Sequence, residues 1–160
     1  MKIMKLLACL LLAGCLWSCV SKGKPSEIGQ VLTIEQIAEL GSDDSWNGKL
    51  VAVKGYPSFS SRLIKTGIRN FLSVAAIPGG EELIRVNVSV VDADKEGTII
   101  AGAKPRNLVR LISGSTDIGQ AQFVLDDYDE VGYGEFLFSG TLVYDGNKVY
   151  LEKATIHKVQ

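Results

Sequence analysis

Between Phe136 and Val159 the chain reads "FLFSGTLVYDGNKVYLEKATIHKV", and this stretch constrains the fold more than any other. Phe136, Phe138, Leu142 and Tyr144 fall on one side of an extended backbone, because successive side chains of a strand alternate between its two faces. Gly140 interrupts that apolar row at a point where a larger side chain would block a bend. Asp145, Gly146 and Asn147 supply a tight turn, after which Val149 and Leu151 return antiparallel. A strand of about ten residues with a glycine near its middle suits a small, strongly curved barrel better than a flat sandwich.

Three earlier segments carry the same period. In "LVAVKGYPSF", Leu50, Ala52 and Lys54 share one face, and Val51, Val53 and Gly55 share the other. Gly55 permits the bend that closing a sheet demands, and Pro57, which cannot donate to a ladder, marks the strand's edge or exit. "NFLSVAAI" (70–77) and "ELIRVNVSVV" (82–91) are two further strands joined by "PGGE". In the second, Leu83, Arg85, Asn87 and Ser89 form a wet face, opposite a dry one of Ile84, Val86, Val88 and Val90.

Ahead of the strands, "TIEQIAELG" predicts a helix of about two turns. Thr33 and Gln36 fit a capping box, Ile34, Ile37 and Ala38 share a face, and Gly41 stands where a left-handed cap would end it. Asn47-Gly48 follows as a tight turn. The stretch from 92 to 135 reads as a long irregular connection, within which "NLVRLI" is too short to assign as helix or strand.

The expected fold class is therefore mainly β: a five-stranded, OB-fold-like Greek-key barrel with one short N-terminal helix, covering 31–160. The chain resembles the single-domain OB-fold lipoproteins of Bacteroides-like bacteria. The resemblance rests on Gly48, Lys49, Val51, Val53 and Gly55, then on Gly140 with Leu142 and Tyr144, then on Val149 to Glu152 with Ile156. It spans roughly residues 31–159 and consists of strand patterns, so it implies a fold and little about activity.

The N-terminal nineteen residues, "MKIMKLLACLLLAGCLWSC", stand apart from that domain. Lys2 and Lys5 precede an apolar run too short to span a bilayer, the pattern of an export signal. The stretch also resembles a bacterial lipoprotein signal, which implies acylation of a cysteine. "LAGC" ending at Cys15 matches the lipobox letter for letter. "LWSC" ending at Cys19 keeps the longer apolar run and is followed at once by a polar tether, 20–30. Cys19 is favoured and Cys15 stays open. The expected anchor is permanent, at about 0.8 kcal/mol per buried methylene over several acyl chains. Neither cysteine is followed by the acidic run that resembles a surface-export signal in such bacteria, and "SKGK" is basic, so the resemblance implies an outer-membrane anchor facing the periplasm.

Composition narrows the chemistry. All three cysteines, Cys9, Cys15 and Cys19, lie in the leader, so the domain has no disulfide and no thiol nucleophile or ligand. Without Lys2 and Lys5 the 17 basic residues become 15 against 18 acids, a net charge of −3, which makes nucleic acid an unfavourable partner. His157 is the only histidine and is expected on the solvent side of the last strand, too isolated for zinc or for a Ser-His-Asp arrangement. "DADKEGTIIAGA" (92–103) begins like a calcium loop but has Ala103 where a bidentate glutamate belongs. "DDYDE" (126–130) reads as a wet acidic loop, with a weak cation site or a hydrolytic carboxylate pair as its sharper alternatives. No metal or cofactor is expected.

What remains is a binding face. OB barrels bind on the exposed side of their second and third strands and on the loops flanking it, here "SFSSRLIKTGIRNF" between the first two strands and the wet face of the third. The matching positions offer Tyr56, Phe59, Arg62, Lys65, Arg69, Phe71 and Arg85, aromatics interleaved with cations. The functional expectation is a non-catalytic, lipid-anchored envelope module that binds a protein or a glycan or other anionic ligand. An oligonucleotide-binding OB domain is the alternative.

Overall fold

The computed structural model describes residues 24–59, 70–91, 98–100, 106–111 and 117–160. Its strands in chain order are β1 (Gln30–Val31), β2 (Leu50–Phe59), β3 (Asn70–Ala75), β4 (Glu82–Val91), β5 (Thr98–Ile100), β6 (Leu108–Arg110), β7 (Gln122–Val124), β8 (Glu130–Val131), β9 (Phe136–Asp145) and β10 (Lys148–Lys158). One α-helix, α1, covers Ile34–Glu39.

Five of these strands close on themselves. β2 pairs antiparallel with β3, β3 with β4, and β9 with both β10 and β2. The ring is completed by β4 lying parallel to β10, with Arg85 opposite Tyr150 and Val86 opposite Leu151. This is the expected OB-like barrel. β2 serves two neighbours in turn: Leu50 to Gly55 face β9, and Tyr56 to Phe59 face β3. The strand therefore continues through Pro57, beyond the last residue that β9 pairs.

Two glycines allow the curvature. A Cβ on Gly55 would overlap the Ala75 carbonyl oxygen, and one on Gly140 would lie 2.9 Å from the Glu152 carbonyl and 3.1 Å from Ala154 Cα. Opposite Gly140, β10 bulges between Glu152 and Thr155, where Lys153 adopts φ 52°. The bulge resets the parity of β10, so Leu151 and Ala154 both reach the core. Val51, Val53, Leu72, Val74, Val86, Phe138, Leu142, Leu151 and Ile156 are fully buried there.

The connection read as irregular is a small antiparallel meander. β5 pairs with the far end of β4, β6 with β5, β7 with β6 and β8 with β7. Its strands are two or three residues long, too short for a period of two to register. Phe123 stacks on Phe136 with ring centroids 4.6 Å apart, and with Val109 and Leu125 it extends the barrel core.

The capping box of α1 is present: Gln36 N–H donates to Thr33 Oγ1, and Thr33 N–H donates to Gln36 Oε1. Its buried face differs from the expected one. Ile34 and Ala38 are exposed, while Leu32, Ile37 and Leu40 are buried, so the residues just outside the helix do the packing. Gly41 is not left-handed; the helix ends in a tightened turn, with Leu40 N–H bonded to Ile37 O.

The close approach at Gly55 yields a stability test. Gly55→Ala is expected to cost about 1–3 kcal/mol in urea denaturation, the scale of an overpacked core. Gly41→Ala, whose Cβ would meet nothing within 4 Å, should change stability by less than about 0.5 kcal/mol.

Candidate functional site

The outer surface of β2, β3 and β4 carries three of the seven residues expected to bind, Tyr56, Phe71 and Arg85. Because Leu72, Val74, Ile84, Val86 and Val88 point inward, the alternate residues Phe71, Ser73, Arg85 and Asn87 lie on the outer side of the sheet, where Arg85 is exposed, Phe71 and Asn87 are half-buried and Ser73 is buried. Phe71 lies opposite Asn87, and Ser73 opposite Arg85. The wet and dry faces of β4 are as expected from Ile84 onward, whereas Leu83, expected on the wet face, packs against the core beside a register slip. Phe71 is half-buried and meets Tyr150 edge-on, with centroids 5.3 Å apart at 66°. Tyr150 belongs to the same outer surface, since it lies opposite Arg85, yet it is only 2% exposed.

Arg85 is not an uncommitted cation. Its Nε lies 2.5 Å from Glu82 Oε1, and the other oxygen of that carboxylate accepts a hydrogen bond from the Ser73 hydroxyl. Residues three apart on a regular strand would face opposite ways. Here the register of β3 and β4 slips between Val74 and Ala75, so Glu82 lies opposite Ala75 and joins Arg85 outside. Neither Glu82 nor Ser73 nor Tyr150 was among the expected site residues, and a bulge of this kind leaves no mark in the alternation.

Tyr56 also faces outward, 6.3 Å from the ring of Tyr133. Burial, and secondarily Tyr56, pushes the Tyr133 hydroxyl pKa up. Phe59 corrects the expectation. It lies opposite the fully buried Leu72 and packs against the core, because an odd offset from Tyr56 turns it to the inner face. Arg62, Lys65 and Arg69 lie outside the described residues, as do Cys15 and Cys19. Residues 92–97 and 101–105 do too, so the calcium-like loop is untouched by the structure.

A second cluster forms around "DDYDE". Asp126 is fully buried, and its carboxylate accepts from the Ser26 amide and hydroxyl and from Asn107 Nδ2 at 2.8 Å. Arg106 Nε lies 3.3 Å away, its Nη1 donates to the carbonyls of Lys24 and Asp126, and its guanidinium covers the Tyr128 ring at 5.5 Å. Asn107, itself buried in a left-handed conformation with φ 60°, accepts from the Ile156 amide at 2.8 Å. The other acids are committed as well: Asp127 caps the Asp129 amide, Asp129 pairs with Lys158, and Glu130 with Arg110. The expected wet loop is thus a set of paired carboxylates. Among the described residues, no three His, Cys, Asp or Glu side chains converge to hold a metal.

This cluster also pins the polar segment before β1. Ser26 is held by Asp126, Gly29 N–H donates to Ser139 Oγ at 2.9 Å, and Gln30 and Val31 pair with β2. Residues 24–30, read from sequence as part of the tether, are thus bonded to the barrel.

His157 is buried, not solvent-facing, because the 125–129 segment crosses the end of β10: Asp126 N–H bonds to Ile156 O. The Thr155 hydroxyl donates to Ser139 O at 3.2 Å, so it accepts from His157 Nε2–H at 2.7 Å. Burial lowers the His157 pKa, opposed by Asp126 and Asp127 and assisted by Arg106. For Asp126, burial alone would raise the pKa, but the Ser26 and Asn107 hydrogen bonds and Arg106 outweigh it and hold the carboxyl below its usual range.

Comparison of the chain with protein-family models, with curated proteins and with solved structures gives no match.

The two shifts act in the same direction. His157 stays neutral in the fold, so the unfolded chain takes up a proton first below about pH 6.5, and that stability is lost on acidification. Asp126, ionised in the fold, adds stability that is lost below about pH 4. Urea denaturation across pH should show both losses, with His157→Gln flattening only the upper one. Asp126→Ala should cost about 3–5 kcal/mol at neutral pH, because it leaves Arg106 and Asn107 facing no carboxylate.

Proposed function

We propose that this protein is a lipid-anchored module of the bacterial cell envelope that acts by binding an envelope protein or glycan, with no reaction of its own. The observation that carries the proposal is the outer surface of β3 and β4. There a half-buried aromatic, Phe71, stands beside Ser73, Arg85 and Asn87 on one face. Edge contact with Tyr150 fixes the Phe71 ring, so the surface is organised before any partner arrives.

Two further observations support binding over catalysis and over nucleic acid. The acids of "DDYDE" are each spent on a cation or a backbone amide, which leaves no carboxylate pair facing a cleft. The net charge of the exported part is −3, and Arg85 is neutralised by Glu82. The anchor reading rests on the leader, with Cys19 as the acylated residue and the periplasmic face of the outer membrane as the location.

Two measurements test this. Metabolic labelling with a fatty acid should label the protein, and Cys19→Ser should abolish labelling and free it from membranes. A pull-down of the acylated protein from its own envelope should enrich a partner that the Phe71→Ala/Arg85→Ala variant does not. Equal recovery by that variant removes this face as the site.

A further inference from the structure

A lipid on Cys19 would hold the barrel to a membrane without fixing which of its surfaces faces the lipid. We infer that the strap side of the barrel, through Ile28, Val31, Ile34 and Leu50, docks into the headgroup–acyl boundary of that membrane; this rests on the anchor reading above and goes beyond it.

Exposed apolar side chains need no explanation when they are scattered. Here they are gathered. Five large ones are exposed among the described residues: Ile28, Val31, Ile34, Leu50 and Ile77. Ile28 and Val31 belong to the strap, residues 24–31, and Ile34 opens the helix that follows it. Leu50 lies directly against the strap, since a Cβ on Gly29 would overlap its carbonyl. Val31 pairs with Ala52 and so shares a face with Leu50, two residues back along β2. Ile77 stands in the turn between β3 and β4, and α1 packs against β4. Val31 and Ile34 are the least covered of the four docking residues, at 53% and 56% exposed.

What covers this patch follows from where the chain comes from. Five peptide steps, at most about 18 Å, lead from Cys19 to Lys24, whose carbonyl Arg106 grips. Ile28 follows four residues later and Val31 three after that. The tether therefore delivers the patch to the bilayer it hangs from. A link this short sets a local concentration on the order of millimolar, so a patch too weak to bind vesicles on its own can still stay docked.

The charges beside the patch are mixed: Glu27 adjoins Ile28, Glu35 adjoins Ile34, and Lys49 adjoins Leu50. No single sign seeks a headgroup, so apolar contact drives the docking. Trp46 is half-buried under the Lys49 ammonium, 4.7 Å from the ring centroid, an aromatic–cation pair suited to the membrane–water interface. Phe71 pairs within the half of the sheet beyond Phe59, at the other end of β2 from Leu50, so docking leaves the β3–β4 face open to a partner.

The test uses the acylated chain, purified in detergent and reconstituted into vesicles of phosphatidylethanolamine and phosphatidylglycerol. Cys9 and Cys15 leave with the leader and the Cys19 sulfur carries lipid, so a cysteine introduced into the domain is its only free thiol. An environment-sensitive dye is attached at Val31→Cys and, in a separate protein, at Ser89→Cys. Phe59 lies opposite Leu72 and Leu72 opposite Val86, which puts Ser89 past the end of β2 remote from Leu50. On reconstitution the dye at position 31 should shift to shorter wavelength and be quenched by brominated acyl chains, and the dye at 89 should do neither. Adding Ile34→Asp should lower the docked-to-free ratio about tenfold, because a charge replaces an inserted side chain. The urea midpoint should not move, since Ile34 is exposed. High salt should change the ratio by less than about twofold, there being no attraction to screen.

Fatty-acid labelling separates docking from the anchor. Protein that takes up no fatty acid overturns both. Acylated protein whose dye at 31 behaves like the dye at 89, or ignores Ile34→Asp, overturns docking and leaves the anchor standing. A shift that grows with the protein-to-lipid ratio assigns the patch to a second copy, and one that needs added envelope extract assigns it to a protein partner; either overturns docking. A shift abolished by salt overturns the apolar contact as its cause.

Discussion

The closure of the barrel depends on two places where backbone approaches backbone with no room for a side chain. At Gly55, β2 leaves β9 and turns to β3, passing against the Ala75 carbonyl. At Gly140, β9 crosses the bulge of β10. Without these bends β10 could not reach β4, and the parallel pair that seals the ring would be an open edge offering unpaired amides to any passing strand. The buried row of valines, leucines and phenylalanines is the filling of a shape that these contacts define.

That part of the fold was legible because each barrel strand is long enough to show its period, and because glycine stands out in an apolar row. The meander was not legible: "NLVRLI" and "QFV" contribute three residues each to pairing, too few for an alternation to register. The site was legible by halves. Phe71 and Arg85 follow from alternation. Glu82 joins them only through a register slip, and Phe59 leaves them because it lies on the opposite parity from Tyr56. Asp126 was visible as an acid in a run of acids. Nothing nearby indicated that Arg106, Asn107 and Ser26 would converge on it, since those contacts join segments far apart along the chain.

The two polar clusters use charge differently. On the β3–β4 face the Arg85–Glu82 pair is partly open to water and contributes little to stability. Around Asp126 the carboxylate is fully enclosed, and each partner belongs to a different segment. A buried charge of this kind is costly unless every partner is in place, so the node couples the N-terminal strap, the meander and β10 into one unit.

The strap has a mechanical corollary. With Lys24 and Ser26 gripped by Arg106 and Asp126, five peptide steps separate Cys19 from the first held residue, and those steps reach at most about 18 Å. A barrel acylated at Cys19 would ride close to the bilayer instead of swinging out on a long leash. Targets deeper in the envelope would then have to come down to it, which favours polymers or proteins that already extend to the membrane.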